Sequence, residues 1–196
     1  VPEEIDGHTV STIGDYGFSK CSTLKSITIP TNIKTIGKYA FNDCTGLVNA
    51  TIPTTVGSVG DYAFNYCTGL KNVTISEGVK SIGKGCFYNC TSLVEAVVPD
   101  TAEKLGSYAF YNCTSMTTAT IGITADTIGE YTFYGCTELD TVVIGISVKS
   151  IGNYAFYNCA LTKVTVPAAT SYIGKYAFAN NKAMTKATHR KGLVTI

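Results

Sequence analysis

Arginine is almost missing from this chain. Arg190 is the only one among 196 residues, and with 15% charged residues and a net charge of +1 the composition disfavours both disorder and general nucleic-acid binding. Histidine occurs twice, as His8 and His189, far apart in the sequence, so no nucleophile, base and orienting acid can be assembled around a central imidazole. No Gly-rich phosphate loop stands between a strand and a helix. Glu95, Glu138 and Asp140 come near strand regions, but two strand spacings, roughly 10 Å, separate their repeats, too far for paired glycosidase carboxylates. The expectation is a non-enzyme with no cofactor and no metal. No apolar run approaches the roughly 20 residues needed to cross a bilayer, so this segment is not expected to insert in a membrane. The opening Val1-Pro2-Glu3-Glu4 lacks the basic and apolar regions of a signal peptide.

Acidic side chains are missing from the last part of the chain. Residues 1–140 carry 14 acidic and 8 basic side chains, 8 − 14 = −6, whereas residues 141–196 carry 7 basic and no acidic ones. A linear stack would have a mildly negative body and a positive end, either a solvated last repeat or a contact for an anionic partner.

What is present is a unit written eight times. Ile13-Gly14 recurs at Ile36-Gly37, Val59-Gly60, Ile82-Gly83, Leu105-Gly106, Ile128-Gly129 and Ile151-Gly152 with a period of 23 residues, and one residue early at Ile173-Gly174. A fixed period of this length means one supersecondary unit stacked on copies of itself, because a single unit cannot bury its own apolar face. The chain is therefore read as one solenoid over 1–196 of about eight repeats, with an entry unit at 1–12 and a degenerate last repeat at 173–196.

Counting the Ile of Ile-Gly as position 1, the unit reads I-G-x-Y-A-F-x-x-C-T-x-L-x-x-V-x-I-P. All eight phenylalanines occupy position 6, and position 12 holds a file of six leucines and two methionines. Each buried Phe contributes about 1.5–3 kcal/mol of transfer free energy, so these files predict the core. The stretch L-x-x-V-x-I ends in the alternation of a half-buried strand and is stopped by Pro30, Pro53, Pro99 and Pro167. Copies one period apart would stack as parallel strands about 4.8 Å apart, giving a rod of roughly 38 Å. The segment Y-A-F-x-x-C suits a short helical or 3₁₀ turn on the opposite wall, which makes the expected fold class an α/β solenoid. Glycine at position 2 fits a bend or close approach.

Seven cysteines share position 9, and Cys86 stands at position 5. Equivalent side chains in a stack point in parallel near the ~4.8 Å spacing, whereas a disulfide wants converging Cβ atoms about 3.5–4.5 Å apart. The expectation is a buried thiol ladder, and collinear thiols do not converge on zinc.

Ile36-Gly37-Lys38-Tyr39-Ala40-Phe41-Asn42-Asp43-Cys44-Thr45-Gly46-Leu47, closed by Ile52-Pro53, resembles the consensus of the BspA-like leucine-rich repeat family. Val1-Pro2-Glu3-Glu4-Ile5-Asp6-Gly7-His8-Thr9-Val10 is similar to that family's frequent first unit. The resemblance covers almost the whole chain. It implies a right-handed superhelix with a parallel sheet on the concave side, and a secreted or cell-surface protein of the kind that adheres to host proteins.

Two surfaces are candidates for a partner. If positions 15 and 17 face the core, position 16 faces outward and displays Thr74, Val97, Thr120 and Val143 in successive repeats. That file either reflects the suitability of β-branched residues for exposed strands or forms a docking face. Position 7 holds Tyr88, Tyr111, Tyr134 and Tyr157, a row that either binds or seals the wall by self-stacking. The partner expected is a protein of host or extracellular-matrix type, with a glycan or a passive, self-associating spacer as alternatives. The sequons at Asn49, Asn72, Asn89 and Asn112 matter only if the source glycosylates. Two irregularities stand out: a deletion between Cys159 and Leu161, where a tightened turn is expected, and a last repeat with Asn181 in place of cysteine and Lys182, Lys186, Arg190 and Lys191 around it, which suits a cap.

Overall fold

An antiparallel hairpin of Glu4–Ile5 and His8–Thr9, turned at Asp6 and Gly7, leads into a stack of eight coils. The computed structural model describes residues 1–189. Arg190 and Lys191, on which the reading of a cap partly rests, lie outside the described residues. Each coil has a short strand, a turn wall and a long strand. It is a β-solenoid of about eight turns held by parallel pairing.

The long strands fall where the alternation placed them, from Ser26–Thr28 to Lys186–His189, and pair with a register step of 23, as in Asn49↔Asn72 and Ile52↔Ile75. Positions 15 and 17 point inward, so that in Asn49–Ile52 the Ala50 and Ile52 side chains are buried and those of Asn49 and Thr51 exposed. A second ladder was not legible in the sequence. The two residues ending at position 1 form an eight-stranded parallel sheet from Thr12–Ile13 to Tyr172–Ile173. Two residues are too few to show a period, although Ile36, Ile82 and Ile128 are all buried there. Glycine follows because a Cβ at Gly106 would lie 2.6 Å from the backbone of Gly83 and Lys84 in the preceding coil, which no side chain tolerates.

The expected helical or 3₁₀ turn is corrected by the structure: among the described residues there is no helix. Positions 4 and 8 are left-handed, as at Tyr39 (φ 55°) and Asp43 (φ 59°), and two such residues per coil end any right-handed helical run. Amide bonds then alternate between the coil itself and the next one. Asn42 N–H donates to Tyr39 (3.0 Å) and Cys44 N–H to Phe41 (3.2 Å), while Tyr39, Phe41 and Asp43 donate to carbonyls of Asp61, Ala63 and Asn65 at 2.7–3.0 Å. A left-handed L-residue costs roughly 1–2 kcal/mol, which these forward bonds help to offset.

Inside, Phe41, Phe64, Phe87, Phe110, Phe133 and Phe156 are fully buried and stack at 4.9–5.4 Å between centroids. The position-12 file from Leu47 to Leu161 lies beside them, also fully buried. All eight cysteines are free. Six form the anticipated ladder, each thiol donating to the Phe carbonyl of the preceding coil, from Cys44 to Phe18 at 3.0 Å through Cys159 to Phe133 at 3.2 Å. Cys21 departs from that expectation and is exposed. Burial pushes the Cys44 thiol up to about 11 and the Cys67 and Cys86 thiols higher still.

The deletion in repeat 7 does not tighten a turn. Elsewhere Leu N–H closes on the position-9 carbonyl, as Leu47 does on Cys44 (3.0 Å). Leu161 N–H donates instead to Asn181 Oδ1 (3.1 Å), whose Nδ2 donates to the carbonyls of Phe156 and Phe178, each at 2.8 Å. Asn181 thus keeps the bond to a Phe carbonyl that cysteine makes elsewhere and adds the acceptor that the shortened loop lacks.

Candidate functional site

The tyrosine row is part of a larger wall. Tyr88, Tyr111, Tyr134 and Tyr157 stack face to face at 4.6–5.0 Å. A parallel file of position-4 tyrosines, Tyr108, Tyr131 and Tyr154, stacks at 4.9 Å and meets the first file at tilted contacts of 5.6–5.8 Å. Burial first, then the adjacent tyrosine hydroxyls, holds the Tyr88 and Tyr111 hydroxyls above their usual value, so both are neutral donors at pH 7. Because each ring face is covered by its neighbour, the wall offers edges and hydroxyls. A sugar seeking an open aromatic face finds none along the middle of the row.

The wall begins at one boundary. Gly85 takes the left-handed position-4 site without a ring (φ 58°), and the Tyr62 ring, still stacked parallel on Tyr39, lies over it and meets Tyr88 at 6.4 Å and 57°. Before that boundary position 7 is a polar ladder: Asn42 Nδ2 donates to Ser19 Oγ (3.2 Å) and Asn65 Nδ2 to Asn42 Oδ1 (2.7 Å). Asn65 Oδ1, facing the change to tyrosine, is buried without a partner.

Thr74, Val97, Thr120 and Val143 lie outward on the long-strand wall, Val97 at 45% and Val143 at 55% exposure and Thr120 half-buried. They do not form one continuous ladder. Val97, Thr120 and Val143 are in register, but pairing is interrupted between Asn72–Ile75 and Glu95–Val98, which separates Thr74 from them. Nor does the fold bring the two candidate sets together, since tyrosines and strand file sit on different walls of the coil.

Sequence reasoning missed three exposed apolar residues beside Val97 and Val143, namely Val94 (45%), Ile123 (49%) and Ile146 (66%). The signal for the last two was available at positions 18 and 19, where Pro99-Asp100 gives way to Gly122-Ile123 and Gly145-Ile146. Also missed was a second seam, between Thr141–Val143 and Lys163–Val166, whose strands are adjacent but unpaired. Among the described residues no group of three or more His, Cys, Asp or Glu side chains is placed to hold a metal ion. No described helix is long and apolar enough to cross a membrane.

A model of the BspA type leucine rich repeat region matches residues 4–117 and 103–196, in six copies. No match was found among curated proteins. Among solved structures, a T. pallidum leucine rich repeat protein is 26% identical with a TM-score of 0.76, covering 81% of this chain and 74% of that one. A leucine rich cell surface protein from Faecalibacterium prausnitzii is 30% identical with a TM-score of 0.74, covering 96% of this chain and 46% of that one. A leucine-rich repeat protein from Bacteroides ovatus, 21% identical, shares the fold with a TM-score of 0.67 over 99% of this chain and 63% of its own. The chain thus spans about half to three quarters of the length of these relatives. The repeat consensus, the stacked coils and the matched segments agree, and the chain belongs to the BspA-type leucine-rich repeat family.

Proposed function

We propose that this chain is a non-catalytic, extracellular protein-binding segment of a surface or secreted protein, with the long-strand wall as the concave face of a right-handed superhelix and its contact zone in repeats 4–7. One observation carries the reading. Val94, Val97, Ile123, Val143 and Ile146 expose large apolar side chains on and beside a single wall, where repeats 1–3 display Thr28, Thr51 and Thr74. The cell-surface relative from F. prausnitzii supports the location, and the hydroxyl-rimmed tyrosine wall supports a protein partner over a stacked glycan.

The test is saturable binding to immobilised host matrix proteins by the wild type and by a Val97→Glu, Ile123→Glu double variant. Both side chains are exposed, so the charges enter water and not the core. Loss of binding by about tenfold or more in the variant is expected, as for truncation of interface anchors. Absence of any saturable partner, with association of the chain with itself in sedimentation, favours the spacer instead.

A further inference from the structure

The unpaired seam of repeats 6 and 7 carries a more specific assignment, which rests on the protein-binding reading. Between Thr141–Val143 and Lys163–Val166 no backbone ladder forms, and the seam opens into an apolar cleft of about 450 Å³ edged by Val143, Ile146, Thr165, Pro167 and Ala168. It continues, through the shared Val142 and Thr165, into a polar cleft of about 290 Å³ that reaches Lys163 and Asp140. The two strands stay too close to admit a third between them, so a docked segment would lie along the cleft with its side chains in it.

Charge identifies what that segment should carry. Lys163 and Lys186 are register partners on neighbouring strands, both exposed, and the one salt bridge among the described residues is elsewhere, between Lys38 and Asp61. Like charges directly opposite across a ladder repel, and no acidic residue follows Asp140 in the sequence to relieve them. Asp140, on the other lip, already has the Thr141 hydroxyl donating to its Oδ1 at 2.7 Å. We propose that this seam is a docking site for an acidic, extended peptide segment of a protein partner, its carboxylates on Lys163 and Lys186 and one bulky apolar side chain in the cleft beside Val143 and Ile146.

The experiment uses three fluorescein-labelled nonapeptides, all read by anisotropy: one with glutamates flanking a central Phe, one with lysines flanking it, and one with glutamates flanking a central Ala. The Glu–Phe peptide should bind, and at least about tenfold more tightly than either control, with affinity falling as salt rises from 50 to 300 mM. Lys163→Glu with Lys186→Glu should weaken it by about tenfold or more, and Ile146→Ala by about threefold or more, the latter without changing the salt dependence. Equal binding of the Glu and Lys peptides, or indifference to both sets of substitutions, overturns the assignment. If the acidic peptide fails while a matrix protein still binds in a manner sensitive to Val97→Glu and Ile123→Glu, the seam proposal falls alone and the protein-binding reading stands.

Discussion

In repeats 1–3 the outward file of the turn wall is Ser19, Asn42 and Asn65, joined side chain to side chain; in repeats 4–7 the same position holds Tyr88, Tyr111, Tyr134 and Tyr157, joined ring to ring. Beneath them the Phe file runs from Phe41 to Phe156 without a change in burial. The boundary is marked at several levels: Gly85 replaces the position-4 tyrosine, Cys86 the position-5 alanine, and the long-strand ladder breaks between Asn72–Ile75 and Glu95–Val98. One interior thus supports two exteriors. In a stack each rung need only match the next, so the surface can change character across one interface while the core does not notice.

The strongest attack on that comparison is to remove a core ring from each half. Phe64→Ala and Phe110→Ala should each cost about 3–5 kcal/mol in urea unfolding, because both rings are fully buried between stacked neighbours. A difference of more than about 1.5 kcal/mol between them would show that the halves differ inside as well as outside. A smaller effect sharpens the picture of the second half. Asn181→Cys restores the consensus residue yet should destabilise by about 1–3 kcal/mol, because Leu161 N–H loses its acceptor in a buried site. Equal or greater stability of that variant would mean that the shortened loop closes on itself without help.

The smallest expected effect concerns thiols, which the comparison predicts to be blind to the halves. With an aromatic disulfide reagent at pH 8, Cys21 should react at once and Cys67, Cys90 and Cys113 only on unfolding, since Cys21 alone is exposed. The sign of the pH dependence follows from burial. A thiol whose pKa is raised in the folded state favours folding fully below its unfolded value and loses that contribution as pH rises through the folded one. For Cys44, raised from 9.0 to about 11, the loss should develop between those values, seen as an unfolding midpoint that declines through that window. Prompt reaction of buried thiols in one half only would break the equivalence of the two interiors.

Much of the interior was legible because a side chain and its neighbour above are the same residue one period on. Phe41 could be placed against Phe64 from spacing alone. The turn wall was misread as helical because Ala40 and Phe41 stand four and three residues before Cys44, the spacing of a helical face, while the left-handed positions that forbid a helix are set by forward amide bonds to the next coil. Asp43, Asn89, Asn112 and Gly135 at position 8 were a fair signal, since Asn, Asp and Gly are the residues most at ease with positive φ. The short-strand sheet offered no period to read. The seams at the surface depend on backbone pairing across coils, which no composition of a single repeat records, so Val143 was found and the cleft beside it was not.

The amide bonds that run forward from Tyr39, Phe41 and Asp43 have a consequence for how such a chain can change length over generations. Every complete coil presents the same donors on one side and the same acceptors on the other. Excision or duplication of a whole coil therefore leaves two surfaces that fit each other, while loss of a single residue leaves a mismatch that some side chain must bridge, as Asn181 does opposite the shortened loop. The gene can be lengthened or trimmed in whole turns at little structural penalty, and reach becomes a heritable trait separate from stickiness.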